Sequence, residues 1–185
     1  MEKIRILDRQ FRPYISAGEI RKAIEEMAEK INRDFAGKEV IFVGILNGVF
    51  IFAADLFRHV DLKARITFLR LASYQGTHST GKIKQLIGLS EDIKDQIVIL
   101  VEDIVDTGTT LDYIVRQLNS FQPAEIHIAT LLVKPDVYHY DIKLDYVGIE
   151  IPNRFIVGYG LDYDGYGRNL DCIWVIDEDQ GDHPE

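Results

Sequence analysis

Residues 3 to 8 alternate weakly between apolar and polar side chains and predict a short outlying strand. The spacing then changes: Ile20, Ile24, Met27, Ala28, Ile31 and Phe35 recur every three or four positions, so residues 17 to 36 form an amphipathic helix. Ser16, with Glu19 three positions on, supplies a capping box for its start. "VIFVGIL", residues 40 to 46, is apolar without interruption and rich in β-branched side chains, the pattern of a strand covered on both faces of a parallel sheet. Asn47 and Gly48 break it. "VFIFAADLFRHV" then reads as a helix, although its apolar content alone also suits a strand.

"ARITFLRLAS" and "IKQLIGL" predict two strands on either side of "YQGTHSTGK", a polar loop longer than a hairpin needs. "IVILVED", residues 97 to 103, is another buried strand, and "TTLDYIVRQLNSF" has helical spacing at Leu111, Ile114, Val115 and Leu118. "EIHIATLLVK", "DYVGIEI" and "CIWVI" supply three later strands. The succession predicts an α/β fold with a mainly parallel central sheet flanked by helices on both faces, and such sheets gather ligands beyond the carboxyl ends of their strands. No internal repeat or domain boundary interrupts residues 1 to 185, so one domain is expected, with "DEDQGDHPE" as a frayed tail.

Composition narrows the function classes. Apolar residues make up 46% and charged residues 28%, the balance of an ordinary soluble globular chain. The formal charge of −9 argues against a nucleic-acid partner, since polyanion binders carry clustered Lys and Arg. Any phosphate must therefore be recognised locally, by backbone N–H groups, a few cations or a metal ion. Cys172 is the single cysteine, which leaves no internal disulfide and no thiolate metal cage. "MEKIRILDRQF" lacks the apolar core of a secretory signal, and no run of about 18 apolar residues is present. A cytoplasmic location without a membrane partner is expected. No two of the five histidines have the spacing of a metal-binding pair.

The chemistry concentrates in "LVEDIVDTGTTL", residues 100 to 111, at the junction of a predicted strand and helix. Thr107, Gly108, Thr109 and Thr110 are small or hydroxyl-bearing, so amides at the helix start can approach a phosphate monoester while hydroxyls donate to it. Glu102 and Asp103 repel a phosphate, but they suit sugar hydroxyls or a hydrated magnesium ion. Asp106, between the two, is placed to move a proton. The plainer alternative is a solvated acidic patch with a helix cap. A Walker A loop is excluded because no Gly-Lys-Ser/Thr sequence occurs. Asp106-Thr107-Gly108 also spells the aspartic protease triplet, but it occurs once and precedes a strong helix.

"VEDIVDTGTT" resembles the phosphoribosyl pyrophosphate motif of type I phosphoribosyltransferases. The order "LNG", "SYQGTHSTGKIK", "VEDIVDTGTTL", "LLVK" and "EIPNRFIVGYGLDYDGYGRNL" resembles the hypoxanthine (and guanine) branch of that family from about residue 40 to residue 176. The resemblance implies a type I phosphoribosyltransferase fold with a small hood and a flexible lid loop. It implies transfer of 5-phosphoribosyl from phosphoribosyl pyrophosphate to N9 of hypoxanthine, with guanine as a second substrate and Mg2+ as the cofactor. A xanthine-preferring enzyme, or a non-catalytic sensor of phosphoribosyl pyrophosphate that regulates gene expression, are the alternatives.

Residue roles follow from the same likeness. Thr107, Gly108, Thr109 and Thr110 would cradle the 5′-phosphate, Glu102 and Asp103 would engage the ribose directly or through magnesium, and Asp106 would exchange a proton with purine N7. Lys134 would meet the exocyclic oxygen at C6, Phe155 would stack on the base, and the Ile156 backbone would read its edge. Asp162 would lie beside the base site and help to hold a second magnesium next to pyrophosphate. Arg168 would contact pyrophosphate itself, as would the backbone at Leu46, Asn47 and Gly48, where a cis peptide before Asn47 is implied. Many relatives have Lys where this chain has Asn47, so backbone contacts alone are carried over there. Ser73 and Tyr74 would open the lid. A homodimer or homotetramer is implied, with the apolar segment 49 to 57 as a candidate contact. Without the likeness, Lys134 reads as a surface lysine, "RFIVGYGL" as core strand, and Asp162 with Arg168 as a surface ion pair.

Overall fold

The computed structural model of the chain describes residues 3–74 and 83–177. The elements in chain order are β1 (Ile4–Ile6), β2 (Arg9–Ile15), α1 (Ala17–Asp34), β3 (Glu39–Leu46), α2 (Phe50–Arg58), β4 (Lys63–Tyr74) and β5 (Ile83–Ile87). They continue with β6 (Ile97–Val105), α3 (Thr109–Asn119), β7 (Glu125–Val133), β8 (Tyr146–Glu150), β9 (Ile156–Val157) and β10 (Ile173–Ile176). Strands β4, β3, β6, β7 and β8 lie side by side in parallel, and β5 adds an antiparallel edge to β4. The capping box forms as predicted, with Ser16 Oγ accepting from the Glu19 amide and Glu19 accepting from the Ser16 amide.

The unbroken apolar strands are explained by what covers them. Val40 and Phe42 of β3, with Ile99 and Val101 of β6, pack under Ile20, Ile24 and Ile31 of α1 and Phe52 and Leu56 of α2. The intervening residues Ile41, Val43, Val98 and Leu100 face the other way, onto Leu111, Ile114 and Leu118 of α3. Successive strand side chains alternate between faces, so a strand with helices on both sides must be apolar throughout. The ambiguous segment after Gly48 is a helix, since Phe52, Ala53 and Leu56 are its buried positions.

A second sheet, with the order β1-β2-β10-β9, is wholly antiparallel. The predicted strand over residues 3 to 8 is thus shorter than expected; it turns at Leu7 (φ 51°) and leads into β2, which the sequence pattern did not announce. β2 carries Arg9, Gln10, Arg12 and Pro13, and it buries only Phe11 and Ile15. Pro13 is tolerated because β2 meets β10 with a register shift between Ile173 and Trp174. "CIWVI" therefore belongs to this small sheet, not to the parallel one. Among the described residues no helix is long and apolar enough to cross a membrane.

Candidate active site

Three strands of the parallel sheet end at one place. Leu46 closes β3, Val105 closes β6, and Lys134 follows the last residue of β7. β6 runs two residues further than its apolar pattern suggested, so Glu102 and Asp103 project from the strand itself. Glu102 is 7% exposed, and burial, with the Asp103 charge next to it, raises its carboxyl well above the ordinary range. Burial also raises Asp103, to about 6, against the opposing pull of the Ile104 amide, which donates to Oδ1 at 2.9 Å, and of Arg168. A buried carboxylate beside a half-buried one is costly when both are ionised, and a divalent cation or sugar hydroxyls relieve that cost. The donor set therefore fits Mg2+. Among the described residues no group of three or more His, Cys, Asp or Glu side chains gathers as a metal cage.

The raised Asp103 gives a pH signature. Its carboxyl titrates near 6 in the fold, against an ordinary 3.8, so between about pH 4 and 6 the folded state holds a proton that the unfolded chain has released. This group therefore destabilises the fold progressively as pH rises through that window, and its cost is complete above pH ~6. Asp103→Asn should stabilise the ligand-free protein by about 1–3 kcal/mol at pH 8 and by almost nothing at pH ~4, measured by chemical denaturation. An equal gain at both pH values would overturn this account.

Beyond Val105 the chain turns through Asp106 and Thr107 to Gly108, whose φ of 90° marks the start of α3. Only glycine serves there, because a Cβ would stand 2.6 Å from the Tyr138 ring and 2.9 Å from the Tyr140 ring. The segment after β7 thus roofs the back of the turn, and the His139 amide donates to the Thr107 carbonyl at 3.3 Å. On the open side Thr107, Thr109 and Thr110 are exposed, with Thr107 Oγ1 and Thr109 Oγ1 3.2 Å apart. Together with Glu102, Asp103 and Asp106, residues 107, 108 and 110 line a cavity of about 200 Å³, several times the ~30 Å³ share of one water. The first amides of α3 and its positive end face this space.

Lys134 is not a surface lysine. It is 8% exposed, and its Nζ donates to Asp106 Oδ2 at 3.0 Å and to Asn153 Oδ1 at 3.3 Å. Asn153 carries no sequence signal beyond being a polar residue inside "EIPNRF", and its contact joins residues 19 positions apart. Phe155 is 46% exposed and stands edge-on to Tyr163 with ring centroids 5.7 Å apart. Ile156, beside it, is buried and pairs with Val175. "RFIVGYGL" is strand for only two of its residues, after which Gly158, Tyr159 and Gly160 all have positive φ.

Asp162 and Arg168 form a partly shielded pair. Arg168 Nη2 meets Asp162 Oδ1 at 2.7 Å, its Nη1 donates to the Gly160 carbonyl at 2.7 Å, and the Gly165 amide donates to Asp162 Oδ2 at 2.6 Å. Asp162 and Arg168 both act on the charge of Asp103, so this pair borders the β6 acids. The Leu46–Asn47 peptide is cis, and Gly48 packs directly on Asp103: a Cβ there would lie 1.6 Å from Oδ2. Ser73 and Tyr74 are the last residues of β4, paired with Lys84 and Ile83 of β5. β4 extends past Arg70, the partner of Leu46, so the expected lid starts beyond the end of β3. The rest of the expected lid, 75–82, lies outside the described residues.

A family model described as the phosphoribosyl transferase domain matches residues 16–164. The hypoxanthine-guanine phosphoribosyltransferase of Streptococcus pneumoniae strain R6 is 41% identical over 166 residues, which cover 89% of this chain and 92% of that protein. The enzyme of the same name from Mycobacterium tuberculosis H37Rv is 37% identical over 170 residues, 88% of this chain and 84% of that one. A crystal structure of a hypoxanthine phosphoribosyltransferase from Staphylococcus aureus superposes with a TM-score of 0.83 at 36% identity, over 91% of this chain and 92% of that chain.

Proposed function

The chain belongs to the phosphoribosyltransferase family, and from that premise we propose that it transfers the 5-phosphoribosyl group of phosphoribosyl pyrophosphate to N9 of hypoxanthine, and of guanine, releasing pyrophosphate. The observation that carries the reading is the bond from the buried Lys134 to Asp106 at 3.0 Å, at the start of the hydroxyl-bearing turn, with the exposed ring of Phe155 two residues from Asn153, the other partner of Lys134. A cation and a proton carrier side by side match a 6-oxopurine, whose O6 accepts from an ammonium while N7 takes or gives a proton. A 6-aminopurine offers only donors at that position, which Lys134 cannot satisfy.

Thr107 to Thr110 hold the 5′-phosphate through amides and hydroxyls, and Glu102 and Asp103 hold the ribose. The backbone at Leu46, Asn47 and Gly48 and the guanidinium of Arg168 hold pyrophosphate, the planar fork of arginine being well shaped for two phosphate oxygens. Phe155 stacks on the base and the Ile156 backbone meets its edge. Glu102 and Asp103 would hold Mg2+, and Asp162 would help to hold a second ion, which when bound would supply positive charge to the leaving pyrophosphate. The sugar carbon gains positive character as pyrophosphate leaves, so water must be kept out, the role given to the lid that Ser73 and Tyr74 open. Self-association as a homodimer or homotetramer belongs to the reading through the family likeness, because Val49, Phe52, Ala53 and Leu56 of the segment 49 to 57 are buried in the core and leave Phe50 as its exposed large apolar side chain. A cytoplasmic location completes the reading.

The test is direct. The protein is incubated with Mg2+, phosphoribosyl pyrophosphate and hypoxanthine, guanine, xanthine or adenine in turn, and the products are identified. Inosine and guanosine monophosphates with pyrophosphate are the expected result. Xanthosine monophosphate as the main product would shift the substrate assignment, and no nucleotide from any base would sink the catalytic reading in favour of a sensor.

A further inference from the structure

We infer that the hydrogen bond between Tyr159 and Asp55 positions the pyrophosphate loop at residues 46–48, a role that rests on the reaction proposed above and adds to it two residues outside the substrate contacts. Tyr159 OH donates to Asp55 Oδ2 at 2.5 Å, joining the segment after β9 to α2 across 104 residues of sequence. Burial, then the bond and the charge of Asp55, push the phenol far above its ordinary range, so it remains a donor.

What the bond holds in place is unusually tight. Tyr159 has a φ of 49°, a left-handed conformation uncommon outside glycine, and it is flanked by Gly158 and Gly160. Gly160 lies against the Gly48 carbonyl so closely that a Cβ would stand 2.0 Å from that oxygen. Gly48 in turn lies against Asp103, and the Gly160 carbonyl accepts from Arg168 at 2.7 Å. One short chain of contacts thus links Asp103, Gly48, Gly160 and Arg168. The loop at 46–48 leads through Val49 directly into α2, which carries Asp55. Loop, helix, Asp55, Tyr159 and Gly160 therefore form a closed circuit in which the Tyr159–Asp55 bond is the side-chain link, while the Tyr159 amide donates to the Leu170 carbonyl at 2.9 Å and the Gly160 amide to the Arg168 carbonyl at 3.0 Å.

Tyr159 is buried in the core, and with Asp55 it borders a groove of about 520 Å³ between α1, α2 and residues 169–171. Without the hydrogen bond α2 loses its side-chain tie to Tyr159, and the loop at 46–48 that leads into α2 gains freedom relative to Gly160.

The experiment compares wild type with Tyr159→Phe, Asp55→Leu, Asp55→Asn and the double variant Tyr159→Phe/Asp55→Leu. Phe keeps the ring in the core, and the Asp55 side chain is 41% exposed, so water can solvate it once the phenol is gone. Tyr159→Phe is expected to raise KM for phosphoribosyl pyrophosphate about tenfold, and KM for pyrophosphate in the reverse reaction alike, with kcat and KM for hypoxanthine changed by less than about twofold. The double variant should be no worse than either single one, and Asp55→Asn, which retains an oxygen acceptor, should lose less than Asp55→Leu. A parallel rise in KM for both substrates, an additive loss in the double variant, or an unchanged KM for phosphoribosyl pyrophosphate each overturns the inference. Tyr159→Phe and Asp55→Asn carry the comparison if Asp55→Leu does not fold. If wild type forms no nucleotide, the proposed function fails separately, and calorimetric titration of Mg2+-pyrophosphate becomes the readout. Weaker binding by Tyr159→Phe than by wild type then upholds the inference, and equal or undetectable binding in both overturns it.

Discussion

Asp106→Asn should lower kcat for nucleotide formation by about 10²–10³-fold, with a much smaller change in KM for phosphoribosyl pyrophosphate. Asparagine has nearly the same shape and keeps an oxygen toward Lys134, so the 3.0 Å contact survives as a hydrogen bond from the ammonium to a neutral amide oxygen. What disappears is a group able to exchange a proton with the base. Removing the carboxylate also leaves the buried Lys134 without its ionic partner, and the ammonium then relies on Asn153. The Asp106 side chain is 50% exposed, so the pair contributes no more than about 1 kcal/mol to the fold, and the variant should unfold within a few degrees of wild type. A thermal melt beside steady-state rates separates the two effects. Full turnover in a folded Asp106→Asn protein would remove the proton-transfer role.

The second large effect is expected at Gly48, and it is steric. An added methyl would stand 1.6 Å from Asp103 Oδ2 and 2.7 Å from its carboxyl carbon. Atoms cannot share that space, so Asp103 must rotate away or the loop must lift, and either change separates the Asp103 carboxylate from the backbone at residues 46–48. Gly48→Ala should cut kcat/KM for phosphoribosyl pyrophosphate by about 10²-fold or more, since misplacement by about an ångström has that scale of effect. Gly18→Ala in α1 is the matching control, because its Cβ would meet nothing nearer than Ser16 Oγ at 3.9 Å. A Gly48→Ala enzyme with normal kcat/KM would show that the Asp103 carboxylate is free to move without cost.

How far the chain can be read without coordinates depends on the range of the interaction. The helices and parallel strands follow local rules: α1 shows its buried side in its spacing, and β3 shows burial on two sides by having no spacing. The acids and hydroxyls at 102 to 110 are adjacent in sequence, so their chemistry is visible before folding. The β2–β10 pairing is invisible for the opposite reason, since Pro13 and three polar neighbours hide a strand whose partner lies more than 150 residues away. Asn153 and Tyr159 belong to the same class. Each acts through one side-chain contact across the fold, with Lys134 and Asp55 respectively, and no spacing rule marks such a contact. A family likeness points to Lys134, whereas its burial and its bond to Asp106 are properties of the fold.

The small antiparallel sheet sets an order on biosynthesis. β2 emerges from the ribosome early, yet its partner β10 follows only when residues 173–176 have been made. At ~5–20 residues per second this leaves Phe11 without its wall for on the order of ten seconds, while the parallel layers are already free to collapse. A nascent chain stalled before residue 173 therefore carries a finished turn at 106–110 and a β2 paired with β1 alone, with Phe11 and Ile15 uncovered, a form that chaperones would be expected to bind and the completed protein would not display.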